Sequence, residues 1–260
     1  MILNGRTALV TGANRGIGRA IAAELAARPL DLLLCGVRDP ARFSALEAPA
    51  GGAREVRAVE VDLSTRESIE RAGAALPPVD LLVNNAGLMT GGLLEEQDTE
   101  EIYAMFQVNL VALVHLTKLL LPGMVERRRG KVVNNASISG YAWFPAATTY
   151  AASKTGVVAF SEALRRELKD TDVSVLHLVT PGVATDMLDD TREVYGRHME
   201  AQSWDDQSPE DWAAKVVRAI ESDDHVLGPG GRLALAKLAS RGPAALVDAI
   251  SGRMFTRDPR

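Results

Sequence analysis

Residues 7–18 read TALVTGANRGIG: a short apolar run breaks into a turn containing Gly12, Gly16 and Gly18, and GIGRAIAAELAAR then opens an amphipathic stretch. Strand, glycine-rich turn and helix in that order put unpaired helix N–H groups at the end of a strand. The glycines let phosphates approach the backbone closely. The spacing is not G-x-G-x-x-G, but the order of elements is the one that a dinucleotide pyrophosphate needs. Thr11, Gly12, Arg15, Gly16, Ile17 and Gly18 are the candidate cofactor-binding residues of this turn, with a purely structural turn as the alternative.

The same rhythm continues along the chain. LDLLLCGV (30–37) precedes PARFSALEA (40–48), and EVRAVEVDL (55–63) precedes TRESIERAGAAL (65–76). VDLLVNNAG (79–87) precedes a helix expected over about 99–121. GKVVNNAS (130–137) precedes one expected over about 150–169, and DVSVLHLVTPG (172–182) follows. Near-continuous apolar strands alternating with helices predict an α/β fold: a single-domain, Rossmann-like, doubly wound parallel sheet flanked by helices, spanning residues 1–260. Asp98 with Glu101 has the form of a capping box, and Ser208-Pro209-Glu210 opens another helix. The arginines before Gly130 suit a helix C-terminus with a glycine cap. Residues from about 186 to 260 are expected to form a substrate loop and a variable C-terminal helical region. The polar stretch 189–207 within them is either a loop over the active site or an exposed connector.

With 47% hydrophobic and 24% charged residues, the chain can bury a sizeable core. Its net charge of −5 provides no overall basic field, so no nucleic-acid partner is expected. The lone cysteine, Cys35, lies in an apolar run and fits a reducing compartment; with no secretion signal in MILNGRTALVTGA, a cytoplasmic location is expected. Residues 102–121 are long enough to span a bilayer, but Gln107, Asn109, His115 and Lys118 argue for a buried helix and against a transmembrane segment. The four histidines lack metal-ligand spacing, so no metal is expected, and no G-x-S-x-G elbow supports a serine hydrolase.

After the second strand, CGVRDP places Val37 and Arg38 where a dinucleotide ribose is read. Arg38, with Arg15 from the turn, favours a 2′-phosphate and hence NADP(H). Asp39 would favour NAD(H) if the strand ran one residue longer. Farther on, TTYAASKTG (148–156) sets Tyr150 and Lys154 four residues apart, on one helix face. A phenol and an ammonium addressing one small volume make an acid/base arrangement, or an ordinary surface pair.

Taken together, TGANRGIG, Asp62, NNAG at 84–87, Asn109, Ser137, Tyr150, Lys154 and PGVATD at 181–186 resemble the classical short-chain dehydrogenase/reductase family, over about the first three-quarters of the chain. The resemblance implies that Asp62 and Leu63 contact adenine, and that Asn84, Ala86 and Gly87 form a wall beside the cofactor. It also implies that Pro181 and Gly182 approach the nicotinamide, with Thr185 on the carboxamide. Tyr150 would protonate the alkoxide formed when hydride reaches a carbonyl carbon, with its acidity raised by Lys154 and the oxidised nicotinamide because a free phenol titrates near pH ~10. Lys154 would also bond the ribose, Asn109 would position a water in the proton relay, and Ser137, thirteen residues before Tyr150, would hold the substrate oxygen, with Ser139 as the alternative. The implied function is an NADP(H)-dependent oxidoreductase acting reversibly on a carbonyl or secondary alcohol, as a homodimer through the helices near 102–121 and 150–169. Trp143, Phe144, Met187, Leu188 and Tyr195 either build an apolar pocket for a lipophilic substrate or belong to the core. The other functional class is a non-catalytic NADP(H)-binding sensor acting through a protein partner. The intact set Asn109, Ser137, Tyr150 and Lys154 favours the enzyme.

Overall fold

The computed structural model describes residues 1–198 and 207–228. Among them, seven parallel strands form one sheet in the order β3-β2-β1-β4-β5-β6-β7. These are β1 (Thr7–Thr11), β2 (Leu32–Val37), β3 (Val56–Glu60), β4 (Leu81–Asn84), β5 (Gly130–Asn135), β6 (Val173–Leu178) and β7 (Val226–Leu227). The chain builds outward from β1 to β3, then returns to the other side of β1 with β4. Val10 therefore sits between Cys35 and Val83 in the register. That reversal opens a crevice at the carboxyl ends of β1 and β4, where α/β sheets bind ligands.

Both sheet faces are covered, which is why the central strands read as unbroken apolar runs. On one face Ile21, Ala22 and Leu25 of α1 (Gly16–Ala26) pack with Trp212, Val216 and Ile220 of α7 (Pro209–Glu221). On the other, Ile69 of α2 (Arg66–Ala75), Leu116 of α4 (Ala112–Glu126) and Leu164 of α5 (Thr148–Glu167) pack over Leu9, Leu34, Leu82 and Val132. Ser208 caps α7 as expected, accepting from Asp211 N at 3.0 Å with Pro209 next in the chain.

Several local expectations are corrected. PARFSALEA is not a helix: only the 3₁₀ turn Pro40–Arg42 forms, and Phe43, Leu46 and Ala48 pack against the core from irregular chain before the turn at Pro49–Gly52. The helix expected over 99–121 runs to Glu126 and is not uniform, since α3 (Thr99–Phe106) passes through a π-helical segment, Gln107–Val111, into α4. Gly130 begins β5 and does not cap α4; Arg128 takes the left-handed conformation there, with φ +52°. The polar stretch after 186 is helical as α6 (Asp186–Gly196). Gln207 pairs with Val183 in an isolated parallel bridge outside the seven strands, with Ala184 N donating to Gln207 O at 3.0 Å. The remainder of the expected loop, and the C-terminal helical region beyond 228, lie outside the described residues.

Thr99–Glu126 is by length and composition apolar enough to cross a membrane. In the fold it packs against α2 and α5, with Asn109, Leu116 and Thr117 buried and Tyr103, Val111, Leu119 and Val125 exposed.

Candidate active site

The turn after β1 is shaped by what it must accommodate. Gly12 has φ +67°, and a β-carbon on it would stand 2.9 Å from the Ala86 α-carbon, so the NNAG segment can close on the turn only because residue 12 has no side chain. Thr11 lies beneath this contact: its Oγ1 accepts from Asn85 N and Ala86 N, both at 3.0 Å. Asn85 Nδ2 donates to Thr11 O at 3.2 Å, Asn135 Nδ2 to Asn85 Oδ1 at 2.9 Å, and the Thr180 hydroxyl to Asn135 Oδ1. A polar string thus ties the carboxyl ends of β1, β4, β5 and β6 together beneath the crevice. Asn85, Asn135 and Thr180 were missed by sequence reasoning, although each stands at or just past the end of an apolar strand.

Asn84 points the other way. Its amide donates to Thr117 Oγ1 at 3.0 Å and Asn134 Oδ1 at 2.9 Å, and Asn134 Nδ2 donates to Ser161 Oγ at 2.9 Å. Asn84 therefore fastens α4 and α5 to the sheet. Neither it nor Thr11 lines the cleft.

The cleft itself has a volume of about 1130 Å³, more than a pocket for one small molecule requires. Gly12, Arg15, Gly16, Ile17, Gly18, Arg38, Asp62, Leu63, Ala86, Gly87, Pro181, Gly182 and Thr185 line it, as do Ser137, Tyr150 and Lys154. At the far end β2 stops at Val37, and the Asp39 carboxylate accepts from Ala41 N at 3.0 Å, capping the Pro40–Arg42 turn. Arg15, Arg38 and Arg42 face that end, and Arg15 makes a solvent-exposed pair with Asp186 at 3.7 Å. Arg42 was not singled out in the sequence because it lay in an expected helix. A glycine cradle at a helix N-terminus with a cationic far wall fits an elongated, phosphorylated dinucleotide.

At the other end, α5 presents Tyr150 and Lys154, both buried. Lys154 Nζ donates to Asn135 O at 2.8 Å and lies 5.8 Å from the Tyr150 ring centroid. Ser137 Oγ accepts from Ser139 N at 3.1 Å, and it is Ser137 that hydrogen-bonds the Tyr150 phenol. Burial pushes Tyr150 up to about 12, with Ser137 pulling the other way, and burial pulls Lys154 down to about 8. Within the protein groups alone the phenol is raised, because burial outweighs the hydrogen bond with Ser137. Asn109 stands behind the cleft in the π-helical segment. Its Oδ1 accepts from Leu88 N at 2.7 Å, and its Nδ2 donates to Leu88 O at 2.9 Å and Ser153 Oγ at 3.1 Å. Gly87 separates it from Lys154: a β-carbon there would lie 3.2 Å from Asn109 Oδ1 and 3.7 Å from Lys154 Nζ.

Residues 6–196 match the family model described as short chain dehydrogenase. The chain belongs to the short-chain dehydrogenase family. It is 35% identical over 190 residues to a 3-oxoacyl-[acyl-carrier-protein] reductase of Haemophilus influenzae, covering 71% of this chain and 77% of that one. Among solved structures it resembles a short-chain dehydrogenase from Sphingobium yanoikuyae in complex with NADPH, with TM-score 0.76, 25% identity and coverage of 95% and 93%. It also resembles a short chain dehydrogenase/reductase from Burkholderia phymatum in complex with NAD, with TM-score 0.76, 26% identity and coverage of 96% of each chain.

This short-chain dehydrogenase is an oxidoreductase, and its parts divide the labour by position. The phenol and the Ser137 hydroxyl stand together at one end of the cleft. Lys154, fixed by the Asn135 carbonyl, holds a positive charge beside them. Phe144, Met187, Leu188 and Tyr195 line the adjoining cleft, whereas Trp143 is 57% exposed and donates to Thr155 Oγ1 at 3.2 Å outside it.

Proposed function

We propose that the protein is an NADP(H)-dependent carbonyl reductase working reversibly on lipophilic ketones, aldehydes or the corresponding secondary alcohols. The observation that carries the proposal is one continuous cleft with arginines at the ribose end and the Ser137–Tyr150–Lys154 cluster at the other. Asp39, the residue that would favour NAD(H), is already engaged as a turn cap. The Haemophilus relative is named as a reductase of a 3-oxo group, in line with carbonyl reduction. A dinucleotide held along Gly12, Gly16, Gly18 and Arg38 would supply hydride. The Ser137 hydroxyl holds the carbonyl oxygen, the Tyr150 O–H gives that oxygen a proton as charge develops, and Lys154 stabilises the phenolate left behind. Asn109 keeps the Leu88 backbone and Ser153 in place, so the wall at Gly87 stays fixed. The exposed apolar residues of Thr99–Glu126 support a homodimer through that helix and α5, and a lone buried Cys35 suits the cytoplasm.

The test is consumption of NADPH or NADH with pooled ketones and aldehydes, by wild type and Arg38→Ala. Wild type is expected to prefer NADPH. Arg38→Ala should lower kcat/KM for NADPH by about 10- to 100-fold, the loss of one charge-assisted hydrogen bond, with far less effect on NADH. A wild-type preference for NADH would put Asp39 on the ribose. Cofactor binding without turnover in either direction would favour the sensor.

The profile of kcat/KM against pH carries a separate expectation. Tyr150 is raised to about 12 and stays protonated across the accessible range, so it contributes no alkaline limb to reduction there. Lys154 is charged below about 8 and loses its proton above, so kcat/KM should fall as pH rises through that value. Lys154→Arg should remove this alkaline limb, because a guanidinium stays charged. A limb that persists in the variant would assign it to another group.

A further inference from the structure

Tyr195 stands in the last turn of α6, and its position decides between an apolar pocket and the core. It lines the cleft with Tyr150, Phe144 and Leu188. Its ring rests on Gly91: a β-carbon there would overlap ring atom Cε1 and stand 2.9 Å from Cζ. The bare glycine is a notch that fits the ring.

Both sides of the notch are anchored. Gly92 N donates to Ala146 O at 2.9 Å, and His198 N donates to Tyr195 O at 3.0 Å, while His198 Nε2 stands 3.5 Å from Glu96 Oε2. Yet the Tyr195 hydroxyl is buried with no hydrogen-bond partner among the described residues, and so is the hydroxyl of Thr90, next to Gly91. Buried tyrosine hydroxyls ordinarily find partners, and an unused donor is unfavourable. A fixed ring with a free donor in a ligand cleft is a polar anchor of the kind that orients ligands in otherwise apolar pockets. Burial and the neighbouring Tyr150 phenol both raise its pKa, so it keeps the proton it would donate.

We infer that Tyr195 determines specificity: it is a second hydrogen-bond donor that selects carbonyl substrates carrying another oxygen acceptor near the reacting carbonyl, as 1,3-dicarbonyl compounds do. The inference rests on the carbonyl-reductase reading for the reacting group, while the second donor rests on Tyr195 and Gly91.

The probes are ethyl 3-oxobutanoate and 2-heptanone, which match in chain length and differ in the ester oxygens. Their dissociation constants are measured by calorimetry on enzyme saturated with NADP⁺, where no reduction occurs, and kcat/KM is measured with NADPH. Wild type should favour the ester. Tyr195→Phe should reduce the ester-to-ketone ratio about tenfold in both measurements, the effect of one ordinary hydrogen bond. Its Tm should not fall, since the lost hydroxyl has no partner to leave behind. Gly91→Ala, which displaces the ring and keeps the hydroxyl, should lower the same ratio. Unchanged ratios in a folded Tyr195→Phe protein that still binds NADP⁺ would overturn the inference. Turnover with unchanged ratios leaves the reductase reading standing and removes this one. Shifted dissociation constants without wild-type turnover do the reverse.

Discussion

Tyr150→Phe is expected to cut kcat for carbonyl reduction by about 10²- to 10⁴-fold, the range of a positioned general acid. The substitution keeps the ring against Lys154 and removes only the oxygen that faces Ser137. Binding of NADPH should weaken far less, since the glycine turn and the arginine end of the cleft are untouched. The informative measurement is single-turnover hydride transfer on enzyme already saturated with NADPH, which separates chemistry from binding. A rate within a few-fold of wild type would mean that the proton comes from elsewhere, and Tyr195 would be the first group to test.

Gly18→Ala should destabilise the fold by about 1–3 kcal/mol, the usual cost of overpacking, and also weaken dinucleotide binding. A β-carbon on Gly18 would overlap the Gly12 carbonyl oxygen and the Asn85 side-chain amide. Neither can yield easily. Gly12 N is bonded to Gly36 O at 2.9 Å, and Asn85 is held by Thr11 and Asn135. The first turn of α1 must therefore shift, and that turn carries the N–H groups that would face the phosphates of a dinucleotide. Urea unfolding and NADPH titration would show both losses together. Unchanged stability would mean that the turn is more compliant than its hydrogen bonds indicate.

Much of this was legible in the sequence because it is periodic or local. Apolar runs such as LLLCGV marked strands buried on both faces, and Ser208-Pro209 marked a helix start. The glycine turn announced its own geometry. Motif residues were legible as positions before they were legible as roles: NNAG located the wall of the cleft, but only the fold shows Asn84 turned into the core and Asn85 turned toward Thr11 and Asn135. The π-helical segment left no trace in the pattern, since widening one turn changes the hydrogen-bond register and not the composition. The helix expected at 40–48 failed because its apolar residues pack on the core without repeating turns, close to Pro49. Tyr195 looked apolar because a phenol counts as hydrophobic until its hydroxyl is found without a partner.

The strand order has a consequence for how such a chain comes into being. β1 is made first and ends in the middle of the sheet, so one of its edges stays unpaired until Leu81–Asn84 has been synthesised. The two ends of the crevice are farther apart still in time, since Gly12 emerges long before Pro181 and Thr185. Pairings between such distant segments slow folding and expose an apolar strand meanwhile. A dinucleotide can shift the folding equilibrium only after α6 has arrived, because no earlier fragment holds both walls. On the ribosome, the first half of this protein must wait without help from the ligand that the finished chain would grip.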